Sequence, residues 1–176
     1  VSASHEIHPY AFTVQFEDLD AGGIVHHPNY LRYCERARCD AMAHRGYSFR
    51  QCMADGSGFV VAEVLMRYLR PAQMDDVLYV LTLNAGFKKS SMKVFQVITT
   101  QAPSITHAHT PGEILRLPST LFMAQIRLVH VDLKTSRPKP MGDSLRAAFG
   151  LPAEGNEASD SRFGDVRLQA EWDTIE

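Results

Sequence analysis

No stretch of this 176-residue chain is apolar for long enough to cross a bilayer, so a helical membrane span is excluded. Cysteine is scarce. Cys34, Cys39 and Cys52 form neither a pairing framework nor a CxxC motif, which excludes a disulfide scaffold and points to reduced thiols in a cytoplasmic setting. Neither sign of charge dominates: 18 Lys and Arg against 20 Asp and Glu leave a formal net charge of −2. Nothing therefore draws the whole molecule to nucleic acid or an anionic membrane, and any phosphate must be met by a local basic cluster. His5 and His8 have no Cys or Asp partners at ligand spacing, so residues 1–9 read as a loose arm and no metal or other cofactor is expected. Residues 1–10 also lack the basic segment and apolar run of a leader.

What is present is enough for one domain with a core: 45% apolar residues and 22% charged ones, the balance of a globular chain. Its organising stretch is 17–38, from Glu17-Asp18-Leu19-Asp20-Ala21-Gly22-Gly23 through His26-His27-Pro28-Asn29-Tyr30 to Glu35-Arg36-Ala37-Arg38. Upstream, Tyr10, Phe12, Val14 and Phe16 alternate with Ala11, Thr13 and Gln15, the period of a strand with one buried face. Downstream, Pro28 suits a helix start, Tyr30, Cys34, Ala37 and Ala41 recur at helical spacing, and Gly46 is a fitting stop. Such a junction puts carboxylates beside the unpaired N–H groups of a helix entrance, a workable place to stabilise an oxyanion. From spacing alone, Asp18 and Asp20 read first as turn and capping residues.

The whole string carries more. Asp-x-Asp-Ala-Gly-Gly-Ile-Val-x-His-x-x-Tyr with Glu35-x-Ala37-Arg38 closely resembles the signature of the 4-hydroxybenzoyl-CoA thioesterase family of hotdog-fold proteins, and within it the Tol-Pal-associated acyl-CoA thioesterases. The resemblance continues through Phe59-Val60-Val61, Tyr68-Leu69-Arg70-Pro71-Ala72, Asp75-Asp76, Val129-His130-Val131-Asp132 and Arg137-Pro138, and covers roughly 8–150 apart from one insertion. It implies that Asp20 is the catalytic carboxylate and that the backbone N–H of His27 polarises the thioester carbonyl. Gly23 and Tyr30 are expected to contact substrate, and Lys88, Lys89 and Ser90 match a loop that meets CoA phosphate in relatives. Leu19, where Thr is usual, and His26, where an aromatic residue is usual, depart from the pattern and bear on substrate preference.

The remaining chain reads as four strands, 59–70, 77–87, 91–100 and 121–132, broken at Pro71, at Asp75-Asp76 and at the hairpin-like Lys88-Lys89-Ser90. Residues 47–58 read as a polar connection and Met141 to Phe149 as a short helix. Short links favour antiparallel neighbours, so the expected class is α+β, five antiparallel strands against one long helix from about Pro28 to Arg45. The resemblance makes this the hotdog fold, with the sheet wrapped around the helix. It also implies a homodimer or dimer of dimers with active sites at the subunit interface. Residues 1–150 form the expected domain, with an insertion at 101–120. Residues 151–176 form an acidic, weakly packed tail holding Trp172.

The expected function is hydrolysis of acyl-CoA thioesters, with Asp20 as general base or nucleophile. Two rivals stand beside it. One is a hotdog hydratase or dehydratase using His27 as base. The other is an adaptor without catalysis, binding acyl carrier protein or cell-envelope proteins through 101–120.

Overall fold

The computed structural model describes residues 7–102, 117–149 and 151. Most of the expected insertion and nearly all of the expected tail, with Trp172, lie outside the described residues, as does His5. The elements run β1 (Tyr10–Thr13), α1 (Asn29–His44), α2 (Phe49–Ala54), β2 (Ser57–Tyr68), β3 (Val77–Phe87), β4 (Ser91–Thr99), β5 (Thr120–Asp132) and α3 (Asp143–Ala148). The strands form one sheet in the order β1-β3-β4-β5-β2, antiparallel throughout, so β2 lies at one edge.

The sheet's inner face is set by alternation. Leu78 and Val80 of β3, Met92, Val94 and Ile98 of β4, and Phe122, Ala124, Ile126 and Leu128 of β5 share one cluster with Tyr30, Tyr33, Cys34 and Ala37 of α1. Small residues at 34 and 37 let helix and strands approach closely. Cys34 is wholly buried, and burial pushes its thiol up to about 12, so it packs rather than reacts. The opposite face of β3 to β5 buries Leu81, Leu83, Phe95, Val97 and Met123, which explains why these strands read as nearly continuous apolar runs.

Three local readings need correction. β1 stops at Thr13, and Phe16, 78% exposed, sits in a single 3-10 turn over Phe16–Asp18 instead of extending the strand. The connection at 47–58 contains α2, opened by a capping box in which Ser48 Oγ accepts from the Gln51 N–H (3.3 Å) and Gln51 Oε1 accepts from the Ser48 N–H (2.7 Å). Finally, β2 begins at Ser57 and ends at Tyr68, two residues earlier at each end than the spacing suggests. Along β2 the pairing with β5 slips by one residue between Val61 and Glu63, a bulge at Ala62.

The two ends of the sheet are finished differently. At the β3–β4 hairpin end, α3 and its approach pack Met141, Leu145 and Ala148 against Met42, Phe59, Phe87 and Phe149. The other end, where β2 leaves the sheet and β3 enters it, carries the turn before α1.

Candidate active site

The turn between β1 and α1 separates two acids that look alike in sequence. Asp18 is framework: its Oδ2 accepts from the Gln15 N–H (2.9 Å), and its carbonyl accepts from His26 N–H (2.8 Å) and Asn29 Nδ2 (2.9 Å). Asp20 ties the turn with its main chain, donating to the Ile24 carbonyl (2.9 Å) and accepting from the Gly23 N–H (3.0 Å). Its side chain is exposed and, among the described residues, hydrogen-bonds only the Gly22 N–H, at 2.7 Å to Oδ1. The two glycines have separate reasons. A Cβ at Gly22 would stand 3.0 Å from Asp20 Oδ1, and Gly23 holds φ +77°, where other residues are strained. Bridges from Ile24 to Gln73 and from the Val25 N–H to the Ala72 carbonyl (2.9 Å) strap the turn to the segment leaving β2.

At the helix entrance the His26 N–H is taken by Asp18, and the Asn29 N–H by the His26 carbonyl at 2.9 Å. The His27 N–H has no acceptor among the described residues, while its carbonyl accepts from the Tyr68 hydroxyl at 3.0 Å. Tyr30 is 2% exposed and its hydroxyl accepts from the Ala72 N–H at 2.9 Å, so that oxygen is engaged by the fold and the ring is what faces the site. Tyr30 and Tyr68 meet edge to face, 5.5 Å between centroids, and both pack on Phe122. Burial raises both phenols above their ordinary value of 10, which keeps both protonated as neutral hydroxyls.

These pieces surround an open cleft of about 350 Å³, lined by Asp20, Ile24 and Val25 of the turn, His27 and Tyr30 at the helix entrance, and Tyr68 through Pro71. An acid and a residue whose amide has no acceptor among the described residues thus line one largely apolar and aromatic cavity, and a carboxylate with an amide donor is the pairing needed to deprotonate or attack at a carbonyl carbon while holding its oxygen. Arg70 is a lining residue to which sequence reasoning gave no role, although it stands in the Tyr68-Leu69-Arg70-Pro71-Ala72 motif. Among the described residues no cluster of three or more His, Cys, Asp or Glu is placed to hold a metal.

Lys88, Lys89 and Ser90 do not join this cleft. The whole of β3, 11 residues, lies between them and the turn, and at about 3.3 Å per residue that is roughly 35 Å of strand. Their hairpin is fastened at the far end by the Met141 N–H to the Lys89 carbonyl (3.0 Å) and the His130 N–H to the Ser90 carbonyl (2.8 Å). Gly23 shapes the turn, with its own N–H already used by Asp20.

Comparison with known proteins bears on the family and the fold. Residues 14–149 match the model of the Thioesterase-like superfamily. Over 137 residues the chain is 31% identical to the acyl-CoA thioester hydrolase YbgC of Escherichia coli, covering 77% of this chain and 90% of that protein. The acyl-CoA thioesterase YbgC of Haemophilus influenzae is 28% identical over 137 residues, 77% of this chain and 89% of that one. Among solved structures, the 1,4-dihydroxy-2-naphthoyl-CoA thioesterase from Synechocystis superposes with a TM-score of 0.67 at 19% identity, covering 82% of this chain and 96% of its own. That likeness concerns the fold, which is the expected hotdog arrangement.

Proposed function

This chain belongs to the Thioesterase-like superfamily and hydrolyses acyl-CoA thioesters, and from that premise we propose that Asp20 and the His27 amide carry the chemistry. Water adds to the thioester carbonyl as Asp20 takes its proton, or Asp20 adds first and water then opens the anhydride. In both routes the His27 N–H donates to the oxyanion and the C–S bond breaks: in the first, Asp20 returns the water's proton to the departing sulfur; in the second, CoA leaves as its thiolate and takes up a proton released when water opens the anhydride. One observation carries this reading: Asp20 and His27, the latter just ahead of α1, line the same cleft, and the His27 N–H has no acceptor among the described residues.

A positioned base is worth about 10² to 10⁴ in rate, and an oxyanion donor about 10² to 10³. Asp20→Asn should therefore abolish most of the thiol released from acyl-CoAs, followed with a disulfide dye, while the melting temperature holds. Turnover equal to the parent's would refute the assignment.

The active unit in this proposal is a pair of chains. β2 is an edge strand on which Val60, Val61, Leu65, Met66 and Tyr68 are all exposed, an apolar edge of the kind monomers cover or blunt. Antiparallel pairing of two β2 edges about a two-fold axis sets the Ser57 end of one against the Tyr68 end of the other. The partner's Lys88-Lys89-Ser90 hairpin then comes to this cleft's end of the sheet, about three strand spacings or roughly 15 Å from the edge. That distance suits lysines meeting CoA phosphates while the thioester lies at Asp20. Leu65→Lys, which buries charge in such a seam, should convert the dimer to a monomer by light scattering and cut turnover with it. A variant that stays dimeric would move the interface elsewhere.

A further inference from the structure

The cleft holds one cation, Arg70, and its setting is unusual for a surface arginine. Arg70 Nη2 spends both hydrogens on backbone carbonyls, donating to Pro118 and, at 3.1 Å, to Thr120. This fixes the guanidinium plane. Nη1 and Nε, with three hydrogens between them, have no acceptor among the described residues, and no carboxylate there stands within ion-pairing distance of Arg70. Apart from Asp20 and His27, the rest of the lining is Ile24, Val25, Tyr30, Tyr68, Leu69 and Pro71, apolar or aromatic surface.

Resting on the thioesterase reading, we propose that Arg70 makes this cleft selective for acyl groups that carry their own carboxylate, such as short dicarboxylic monothioesters. When an acyl chain fills the cleft and displaces water, a neutral chain leaves three charged donors without acceptors, whereas a terminal carboxylate accepts them in a fork. The preset plane means little freedom is lost on binding. It also offsets the repulsion between Asp20 and a second carboxylate in the same space.

CoA's own phosphates are the other anion available, and geometry disfavours them. The pantetheine arm between sulfur and pyrophosphate is about as long as four extended residues, roughly 15 Å. Asp20 and Arg70 share a cavity only a few side chains across. A cation that close to the reacting carbonyl meets the acyl side of the thioester.

The test compares glutaryl-CoA with valeryl-CoA, which have the same number of acyl carbons and differ in charge. We expect kcat/KM to favour glutaryl-CoA by about tenfold or more, the ratio to fall to near one in Arg70→Gln, and Arg70→Lys to recover part of it. Because each ratio is taken within a single variant, a general loss of stability cancels. A parent ratio below about two, or the same ratio in Arg70→Gln as in the parent, overturns the proposal. So does an equal loss on both substrates, which would make Arg70 an oxyanion donor. The same two acyl groups on N-acetylcysteamine, which has no phosphate, should give the same preference. If Arg70→Gln instead erases only the advantage of CoA thioesters over cysteamine thioesters, phosphate is the ligand and the proposal fails. If the protein hydrolyses none of these, the thioesterase reading falls separately, and calorimetry with non-hydrolysable thioether analogues decides the inference. Tighter binding of the carboxylated analogue, lost in Arg70→Gln, supports it, and equal affinities overturn it.

Discussion

One sheet has two ends, and they are finished in opposite ways. At the hairpin end a second cluster closes the sheet: Met141, Leu145 and Ala148 pack over Met42 and Phe87, and Arg146 is fully buried beside the Phe87 ring. At the turn end the same strands leave a cavity with a carboxylate at its lip and an amide with no acceptor among the described residues. The core and the closed end stabilise the fold, and the open end is left to bind and react. The contrast repeats at smaller scale in Asp18 and Asp20, two residues apart: one spends its carboxylate and carbonyl on the frame of the turn, while the other lines the cleft with its carboxylate meeting a single turn amide, that of Gly22, among the described residues.

If that division is sound, mutations should sort by end. The largest stability effect belongs to the closed end, where Leu145→Ala should cost about 2 to 5 kcal/mol by denaturant titration, with turnover per folded molecule preserved. A marked loss of turnover per folded molecule would blur the contrast. Next is the acid pair. Asp18→Ala should lower stability by about 1 kcal/mol through its lost cap, whereas Asp20→Ala stays within about 0.5 kcal/mol of the parent. Equal melting curves for the two variants would break the comparison. The smallest effect concerns pH at the closed end. His130 is 2% exposed, its Nδ1 bonded to the Lys139 carbonyl at 2.7 Å, and burial holds its pKa below the ordinary 6.5. The unfolded chain then takes up a proton that the folded one refuses, so stability from this group is full above pH 6.5 and declines as pH falls below it. His130→Gln should flatten that decline in denaturant midpoints measured across the same range, and an unchanged slope would assign the acid sensitivity elsewhere.

The elements that could be read from sequence are those in which local rules and burial agree. The limits of β3 come out as read because Asp75-Asp76 and Lys88-Lys89-Ser90 bracket a strand with no other turn signal inside it. The period of two misleads at Phe16, because the Asp18 carboxylate bends the backbone into a 3-10 turn and the hydrophobic side chain is left outside. α2 was legible in principle from Ser48-x-x-Gln51, but two turns carry too little periodicity to stand out beside two glycines. In the site, which acid faces the cleft depends on hydrogen bonds across the turn, and only the likeness to a family singled out Asp20. Arg70 escaped notice because its significance lies in carbonyls at 118 and 120, some fifty residues away. The place of the lysine hairpin is likewise not local information: within one chain the length of β3 separates it from Asp20, a fact about the sheet that no short pattern contains.

The bulge at Ala62 falls near the middle of the 12-residue β2, the strand that lies open at the sheet's edge. A straight foreign strand laid along it loses register halfway, so the kink discourages fibril-like stacking. In the proposed pair of chains, a second copy turned end for end about an axis near Ala62 brings a kink to meet a kink. Under that pairing, an irregularity that weakens the ladder by a bond lets the molecule tell itself from a crowd of other extended chains.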